Sequence, residues 1–339
     1  MKISLSFLLL FISSIGIKNK FSDPVPGSCT IFSASIGNQT LFGNNEDYFD
    51  PDTYLWTEPA TRGNYGCIYL GFKDYSHQGG INEKGLCFDA NALPDVKINL
   101  HKELLQPPHY DVPYDQYEIW LPVLILRRAA TIQEAIDIAQ KYQKNNWYPS
   151  SDGVGYQLNF ADAQGDAVVM SVDQSGELAF TRKNKDAYFL ISTNYNKANP
   201  NNALEYPCHR YTVSEEMLST ITKENDITVS FFKNILDRVH QEGIFSRTLY
   251  SNIFDLQRGI IYLYYQHEYE EVVILHVKDE LAKGNINIKI SDLFSEETVH
   301  QASYKWYSLI AKWILGCAAL TVISILIIHY INKKYYKFH

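Results

Sequence analysis

The sequence predicts an α+β body, antiparallel sheets with helices packed on their outer faces, followed by one membrane-spanning helix. Three observations carry this. Strand-like runs come in blocks separated by helical blocks, which favours antiparallel sheets over an alternating parallel fold. Gly-Asn and Gly-rich turns join successive runs, as hairpins require. Near the end, Trp313 to Ile328 contains no charge, and Tyr307 to Ala311 extends the run past a single Lys312.

The strands begin at Thr30 to Ile36, turn at Gly37-Asn38 and return over Thr40 to Asn45. A run from Cys67 to Phe72 leads through Gly79-Gly80 to Ile81-Asn82-Glu83-Lys84-Gly85-Leu86 and then to Cys87 to Ala90. Asp115 to Ala130 has helical spacing, and Thr131-Ile132-Gln133-Glu134 forms a capping-box pattern opening a helix to about Tyr142. Strands resume over Gly155 to Asp162, Ala167 to Val172, Leu178 to Arg182 and Tyr188 to Ser192. One helical stretch, Val213 to His240, precedes the strands Arg247 to Phe254, Ile260 to Tyr265 and Glu271 to Val277.

The ends carry targeting signals. Residues 1–20 place one lysine before an apolar run, the layout of a signal peptide, although an uncleaved anchor fits the same pattern because no small-x-small site follows. Residues 307–330 supply about the 20 apolar residues that a bilayer core needs. Trp306, Tyr307, Trp313 and Tyr330 flank the span, and Lys333, Lys334 and Lys337 follow it. Lysines stay cytoplasmic, so the expectation is a single-pass type I protein of the secretory pathway or cell surface, with residues 331–339 as a cytoplasmic tail.

Between the ends lie roughly 280 residues, enough for one large domain, expected over 29–300. A net charge of -8 and the lack of a basic cluster outside the tail argue against a nucleic-acid partner. Of the five cysteines, Cys317 lies in the span. Cys29, Cys67, Cys87 and Cys208 allow two disulfides in three connectivities, or at most one if Cys29 stays free. His77, His209, His267 and His276 show no metal-ligand spacing. Asn38-Gln39-Thr40 is a glycosylation sequon if the body faces the secretory lumen.

Cys29 opens the first strand directly after the leader. A thiol attacks only as thiolate, with an ordinary pKa near 8.5. At the first position of a mature chain it gains its own base, because a free α-amine, with pKa about 7.7 to 8.0, can take the thiol proton. Cys29-Thr30-Ile31-Phe32, Leu41-Phe42-Gly43-Asn44-Asn45-Glu46-Asp47, Gly80-Ile81-Asn82-Glu83-Lys84-Gly85-Leu86 and Thr248-Leu249-Tyr250-Ser251-Asn252-Ile253-Phe254-Asp255 occur in this order. Together they resemble the choloylglycine hydrolase family of linear-amide hydrolases. That family includes bile salt hydrolases and penicillin V acylases among the N-terminal nucleophile hydrolases.

The resemblance covers about Cys29 to Val277 and implies a four-layer αββα fold. It implies Cys29 as nucleophile, freed by cutting the Ser28-Cys29 bond, with residues 21–28 as a short propeptide. Asp47 is implied as the carboxylate holding the α-amine, Asn91 and Asn194 as oxyanion donors, and Arg210 as the active-site arginine. Bile salt hydrolases have arginine after Phe-Gly, where this chain has Asn44, so kinship with that branch is in question.

The expected reaction is hydrolysis of a linear amide carbon-nitrogen bond in a small molecule through a thioester, with no metal or organic cofactor. Alternatives are acyl transfer on an N-acyl or lipid amide, or a catalytically inactive membrane-tethered binding domain. Cys29 as a disulfide or lipid-modified cysteine, Asp47, Asn91 and Asn194 as turn residues, and Arg210 as a surface ion pair also remain open, as does a homo-oligomer.

Overall fold

The structure is a computed structural model that describes residues 29–93, 120–142, 155–200, 206–244 and 246–335. The expected signal peptide and propeptide, residues 115–119, and residues 336–339 of the tail lie outside these; the helix expected from Asp115 begins instead at Leu121, where Trp120 is the non-helical N-cap and a proline occupies the first turn. Along the chain run strands β1 (Thr30–Ile36), β2 (Gln39–Tyr48), β3 (Thr53–Glu58), β4 (Cys67–Phe72), β5 (Ser76–Asn82) and β6 (Cys87–Leu93). Helices α1 (Leu121–Arg128) and α2 (Ile132–Tyr142) follow, then strands β7 (Gly155–Ala161), β8 (Ala167–Val172), β9 (Leu178–Arg182) and β10 (Phe189–Ser192). The remainder comprises α3 (His209–Leu218), α4 (Val229–Val239), β11 (Arg247–Asp255), β12 (Ile260–Tyr265), β13 (Glu268–His276), α5 (Val277–Ala282), β14 (Asn287–Lys289) and α6 (Glu296–Tyr335).

Two antiparallel sheets form, one of order β10-β1-β2-β11-β12-β13 and one of order β14-β3-β4-β5-β6-β7-β8-β9. Side chains alternate between faces except at register shifts in the β4–β5, β2–β11 and β12–β13 pairs, so strands of both sheets contribute to two cores. Ile31, Phe42 and Phe254 from the first sheet meet Leu55, Ile68, Leu70, Ile81 and Cys87 from the second in the layer between them. Their neighbours Phe32, Leu41 and Ile253 face outward onto Phe232, Ile235 and Leu236 of α4 and Leu218 of α3. On the other side Tyr69, Phe88 and Phe160 face outward onto Leu121, Ile125 and Ile136 of α1 and α2. The result is the four-layer αββα sandwich.

The Asn-Glu-Lys-Gly-Leu element is a structural turn. Fully buried Asn82 donates from Nδ2 to the carbonyls of Leu126 at 2.7 Å and Ala129 at 2.8 Å, and its Oδ1 accepts from the amides of Lys84 at 2.9 Å and Leu86 at 3.0 Å. Gly85 takes φ 80° and would drive a Cβ into the Leu256 carbonyl. Asn82 thus closes the β5–β6 turn and ties it to the end of α1. Asn82→Ala strands four main-chain groups, so we expect a loss of about 2–4 kcal/mol in denaturant unfolding; an unchanged midpoint would contradict the assignment.

One further expectation changes and two strands are added. The helix over Val213 to His240 is two helices, α3 and α4, separated by a 3-10 turn over Glu224–Asp226. Local polar side chains end α3: Ser219 Oγ bonds the Glu215 carbonyl at 2.7 Å, Thr220 Oγ1 the Met217 carbonyl at 2.7 Å, and Asp226 accepts the Thr222 and Lys223 amides. Strands β3 and β14 were not anticipated; β14 is short and lies at the sheet edge. The Thr131 half of the capping box forms, with Thr131 Oγ1 accepting from the Glu134 amide at 3.2 Å, while Glu134 accepts from the Ala130 amide at 2.6 Å, one residue before the cap.

The apolar C-terminal segment belongs to α6, which begins at Glu296, well before residue 307. Over Glu296–Ile331 it is long and apolar enough to cross a membrane, and its most apolar window is unburied. Its first turns dock on the body: Ala302 is buried between the sheets, Lys305 Nζ lies 2.6 Å from Glu268, and the Arg247 guanidinium lies 3.8 Å from the Trp306 ring centroid.

Candidate active site

Cys29 immediately precedes β1 and packs into the layer between the sheets, 2 % exposed. The β1–β2 register pairs Thr30 with Asn45, which sets Cys29 beside Glu46 and Asp47 at the far end of β2. Alternation then fixes what surrounds it. On β2, Asn44 and Glu46 share the inner face with Phe42; on β6, Asp89 and Asn91 share it with Cys87. All four polar side chains are buried, at 1 % exposure or less.

The five residues expected at the site come together. Asn91 Nδ2 donates to the Cys29 carbonyl at 3.1 Å, and Arg210 Nη1, at the start of α3, donates to the same oxygen at 2.8 Å. Arg210 Nη1 also reaches Thr30 Oγ1 at 2.8 Å, and its Nη2 reaches Asn194 Oδ1 at 2.9 Å. The guanidinium stands 3.9 Å from Asp47 Oδ2. Asn194 Nδ2 donates to the Ala92 carbonyl at 2.9 Å. Both asparagine amides therefore engage main-chain carbonyls in this arrangement.

The orientation of Asn91 is set by its neighbours. Its Oδ1 accepts from Asn159 Nδ2 at 2.8 Å and from Ser192 Oγ at 2.7 Å, which leaves Nδ2 aimed at Cys29. Gln157 anchors that shell, donating from Nε2 to Ser192 Oγ at 2.8 Å and to the Thr193 and Tyr195 carbonyls. Asp47 is held likewise: Thr248 Oγ1 donates to Oδ1 and Gln241 Nε2 to Oδ2, the latter at 2.9 Å.

Sequence reasoning did not single out Glu46, Asp89, Thr248, Gln241, Gln157 or Tyr250. For Glu46 and Asp89 the signal was available, because each sits two residues from an inward-facing neighbour. Gln241 and Thr248 approach through tertiary packing that no spacing encodes.

Electrostatically the site is crowded with acid. Burial pushes Asp47 up to about 7, while Arg210, Thr248, Gln241 and His240 hold it back. Burial and the charge of Asp47 push Glu46 up to about 8, offset by hydrogen bonds from Cys29 and Asn44. Burial and then Glu46 raise Asp89. The Cys29 thiol is raised by burial, then by Glu46, Asp47 and Asp89, and is lowered by the Asp47 main-chain amide.

The linkage has a definite sign. Carboxyls whose folded pKa exceeds the unfolded value favour the folded state when protonated, so their contribution is complete below the unfolded pKa of about 4 and is lost as pH rises through the folded values near 7 and 8. Thermal unfolding should therefore move to lower temperature from pH 5 to pH 8, and Glu46→Gln should flatten that dependence. A profile identical in both proteins would contradict the charge assignment.

Among the described residues no group of three or more His, Cys, Asp or Glu side chains could hold a metal ion. All five cysteines are free, so no disulfide ties up Cys29.

The fold and this geometry can be set beside known proteins. No family model matches the chain, and no curated protein matches it in sequence. Solved structures do match. Penicillin V acylase from Agrobacterium tumefaciens aligns over 80% of this chain and 89% of its own, with TM-score 0.51 and 16% identity. A mutant conjugated bile acid hydrolase from Clostridium perfringens aligns over 76% and 96%, with TM-score 0.54 and 15% identity, and a second variant of it reaches TM-score 0.55 over 77% and 96%, again at 15%. This chain has the N-terminal nucleophile hydrolase fold. At such identities the likeness speaks for architecture; chemistry must be argued from the side chains.

Proposed function

We propose that the protein hydrolyses linear amide carbon-nitrogen bonds, with Cys29 as an N-terminal nucleophile. The observation that carries this reading is the convergence of Asn91 and Arg210 on the Cys29 main chain, with the Asp47 carboxylate 3.9 Å from the same guanidinium. A merely structural cysteine would not need its main-chain carbonyl gripped by two polar side chains, one from β6 and one from α3.

Maturation comes first. The thiol attacks the Ser28 carbonyl carbon, the Ser28-Cys29 peptide bond breaks, its nitrogen takes up a proton, and water hydrolyses the resulting thioester. The new α-ammonium places a positive charge beside the Asp47 carboxylate and offsets part of the repulsion that otherwise disfavours thiolate. In turnover the amine takes the thiol proton, Sγ bonds to the substrate carbonyl carbon, and the amide side chains of Asn91 and Asn194 turn from their main-chain partners to the developing oxyanion. The carbon-nitrogen bond breaks as the leaving nitrogen takes the proton from the α-ammonium. Water, deprotonated by the same amine, then releases the acid. The residues supply nucleophile, base and oxyanion donors, so the scheme calls on no metal or cofactor.

The apolar part of α6 anchors the domain in a membrane, in the expected type I orientation, with the body on the lumenal or extracellular side. The likeness to amide hydrolases supports a small-molecule amide, and the contacts of the first turns of α6 with the body keep the site near the bilayer surface. The experiment is a screen of small N-acyl amides with detergent-solubilised protein, reading stoichiometric release of acid and amine. Release of neither from any amide would overturn the proposal.

A further inference from the structure

Three buried polar groups beside Cys29 have unfilled hydrogen-bonding capacity that the scheme above does not use. Glu46 Oε2, Asp89 Oδ2 and the Tyr250 hydroxyl have no hydrogen-bond partner, and their residues are 1 %, 0 % and 0 % exposed. They share one locus: β2 and β11 pair Glu46 with Tyr250, the Tyr250 hydroxyl feels Glu46, Asp89 and Cys29, and Glu46 accepts a hydrogen bond from the Cys29 thiol. Asp89 leans over Gly79, its partner on β5, where a Cβ would collide with the carboxyl. The bare backbone at Gly79 leaves the space that the Asp89 carboxyl fills.

Arg210 faces Asp47 and is already shared among Cys29, Thr30 and Asn194, and the proposed scheme assigns the mature α-amine to Asp47 as well. Position 44, next along the inner face, carries an amide whose Oδ1 is itself unpartnered. Among the described residues no lysine or arginine forms an ion pair with Glu46 or Asp89. Two buried carboxyls without a cation are held protonated, and ionising either one opposes thiolate formation.

We propose that Glu46, Asp89 and Tyr250 form a subsite that recognises a cationic group, an ammonium or guanidinium, carried by the amide substrate close to its scissile bond. The inference rests on Cys29 being the nucleophile and names the substrate class of that site. The two carboxylates receive the cation, the tyrosine hydroxyl completes its hydrogen bonding, and the substrate itself supplies the positive charge that lets the thiolate form. A neutral amide would leave the acids unpartnered and make thiolate formation less favourable.

Two measurements on the mature, detergent-solubilised protein test this. Hexanoyl and 6-aminohexanoyl 4-nitroanilides, and hexanoyl amides of pentylamine and 1,5-diaminopentane, place the same cation in the acyl or the amine half. In at least one pair the cationic member should have kcat/KM about tenfold or more above the neutral one, a ratio that shrinks toward one in Asp89→Asn and Glu46→Gln. Neutral members equal to or better than both cationic members would overturn the subsite while leaving amide hydrolysis intact. If no amide turns over, the hydrolase reading falls, and the subsite is judged on the thiol alone. 2-Aminoethyl methanethiosulfonate should then modify Cys29 about tenfold faster than the ethyl reagent, each rate normalised to glutathione, with the preference lost in Asp89→Asn. Equal normalised rates, or a preference indifferent to both substitutions, would overturn it.

Discussion

Cys29→Ala is expected to lose amide turnover by at least about a thousandfold, because no neighbouring group among the described residues can replace the sulfur as acyl acceptor. The same substitution should also leave the leader attached, since self-cleavage uses the identical atom. Cys29 is buried among inter-sheet side chains, and alanine removes one sulfur from that layer, so the fold should survive at modest cost. Cys317→Ala, on the exposed face of α6, provides the matched control and should keep wild-type turnover. Residual turnover in Cys29→Ala within tenfold of wild type, read as acid release, would remove the cysteine from the chemistry.

Arg210→Ala should cost about a hundredfold or more in kcat/KM, comparable with removal of a preorganised oxyanion donor. One guanidinium holds the Cys29 carbonyl, Thr30 Oγ1 and Asn194 Oδ1 at 2.8–2.9 Å and faces Asp47 at 3.9 Å, so four groups lose their common partner at once. Arg210→Lys should recover little. A lysine carries a point charge and cannot reproduce the planar fork that spans Cys29 and Asn194. The readout is steady-state kinetics beside a thermal unfolding curve. Loss of activity with an unchanged curve supports a role in the site, whereas rescue by lysine would reduce Arg210 to a general counter-charge.

The fold was legible wherever alternation was regular. Ile31 against Phe32, Leu41 against Phe42 and Ile253 against Phe254 each divide between inner and outer cores, and these runs read as strands from composition alone. The region from Val213 to His240 read as one helix because no proline or glycine interrupts it; the break itself comes from Ser219, Thr220 and Asp226 bonding to nearby backbone. At the site, the five anticipated residues meet although 181 positions separate Cys29 from Arg210. The resemblance supplied these, since no local spacing links β1 to the start of α3. Glu46 and Asp89 passed unremarked because a carboxylate within a strand ordinarily reads as a solvent-facing position, and only the pairing of two sheets buries both faces. Gln241 and Thr248 clamp Asp47 from β11 and the loop before it, a placement that follows from tertiary packing.

The central claim is that attacking sulfur and accepting nitrogen belong to one terminal residue, and N-terminal sequencing of catalytically active protein tests it most directly. The account predicts that active molecules begin at Cys29 with a free α-amine. Active protein that begins at Ser28 or any earlier residue, turning over amides at the same rate, would contradict it.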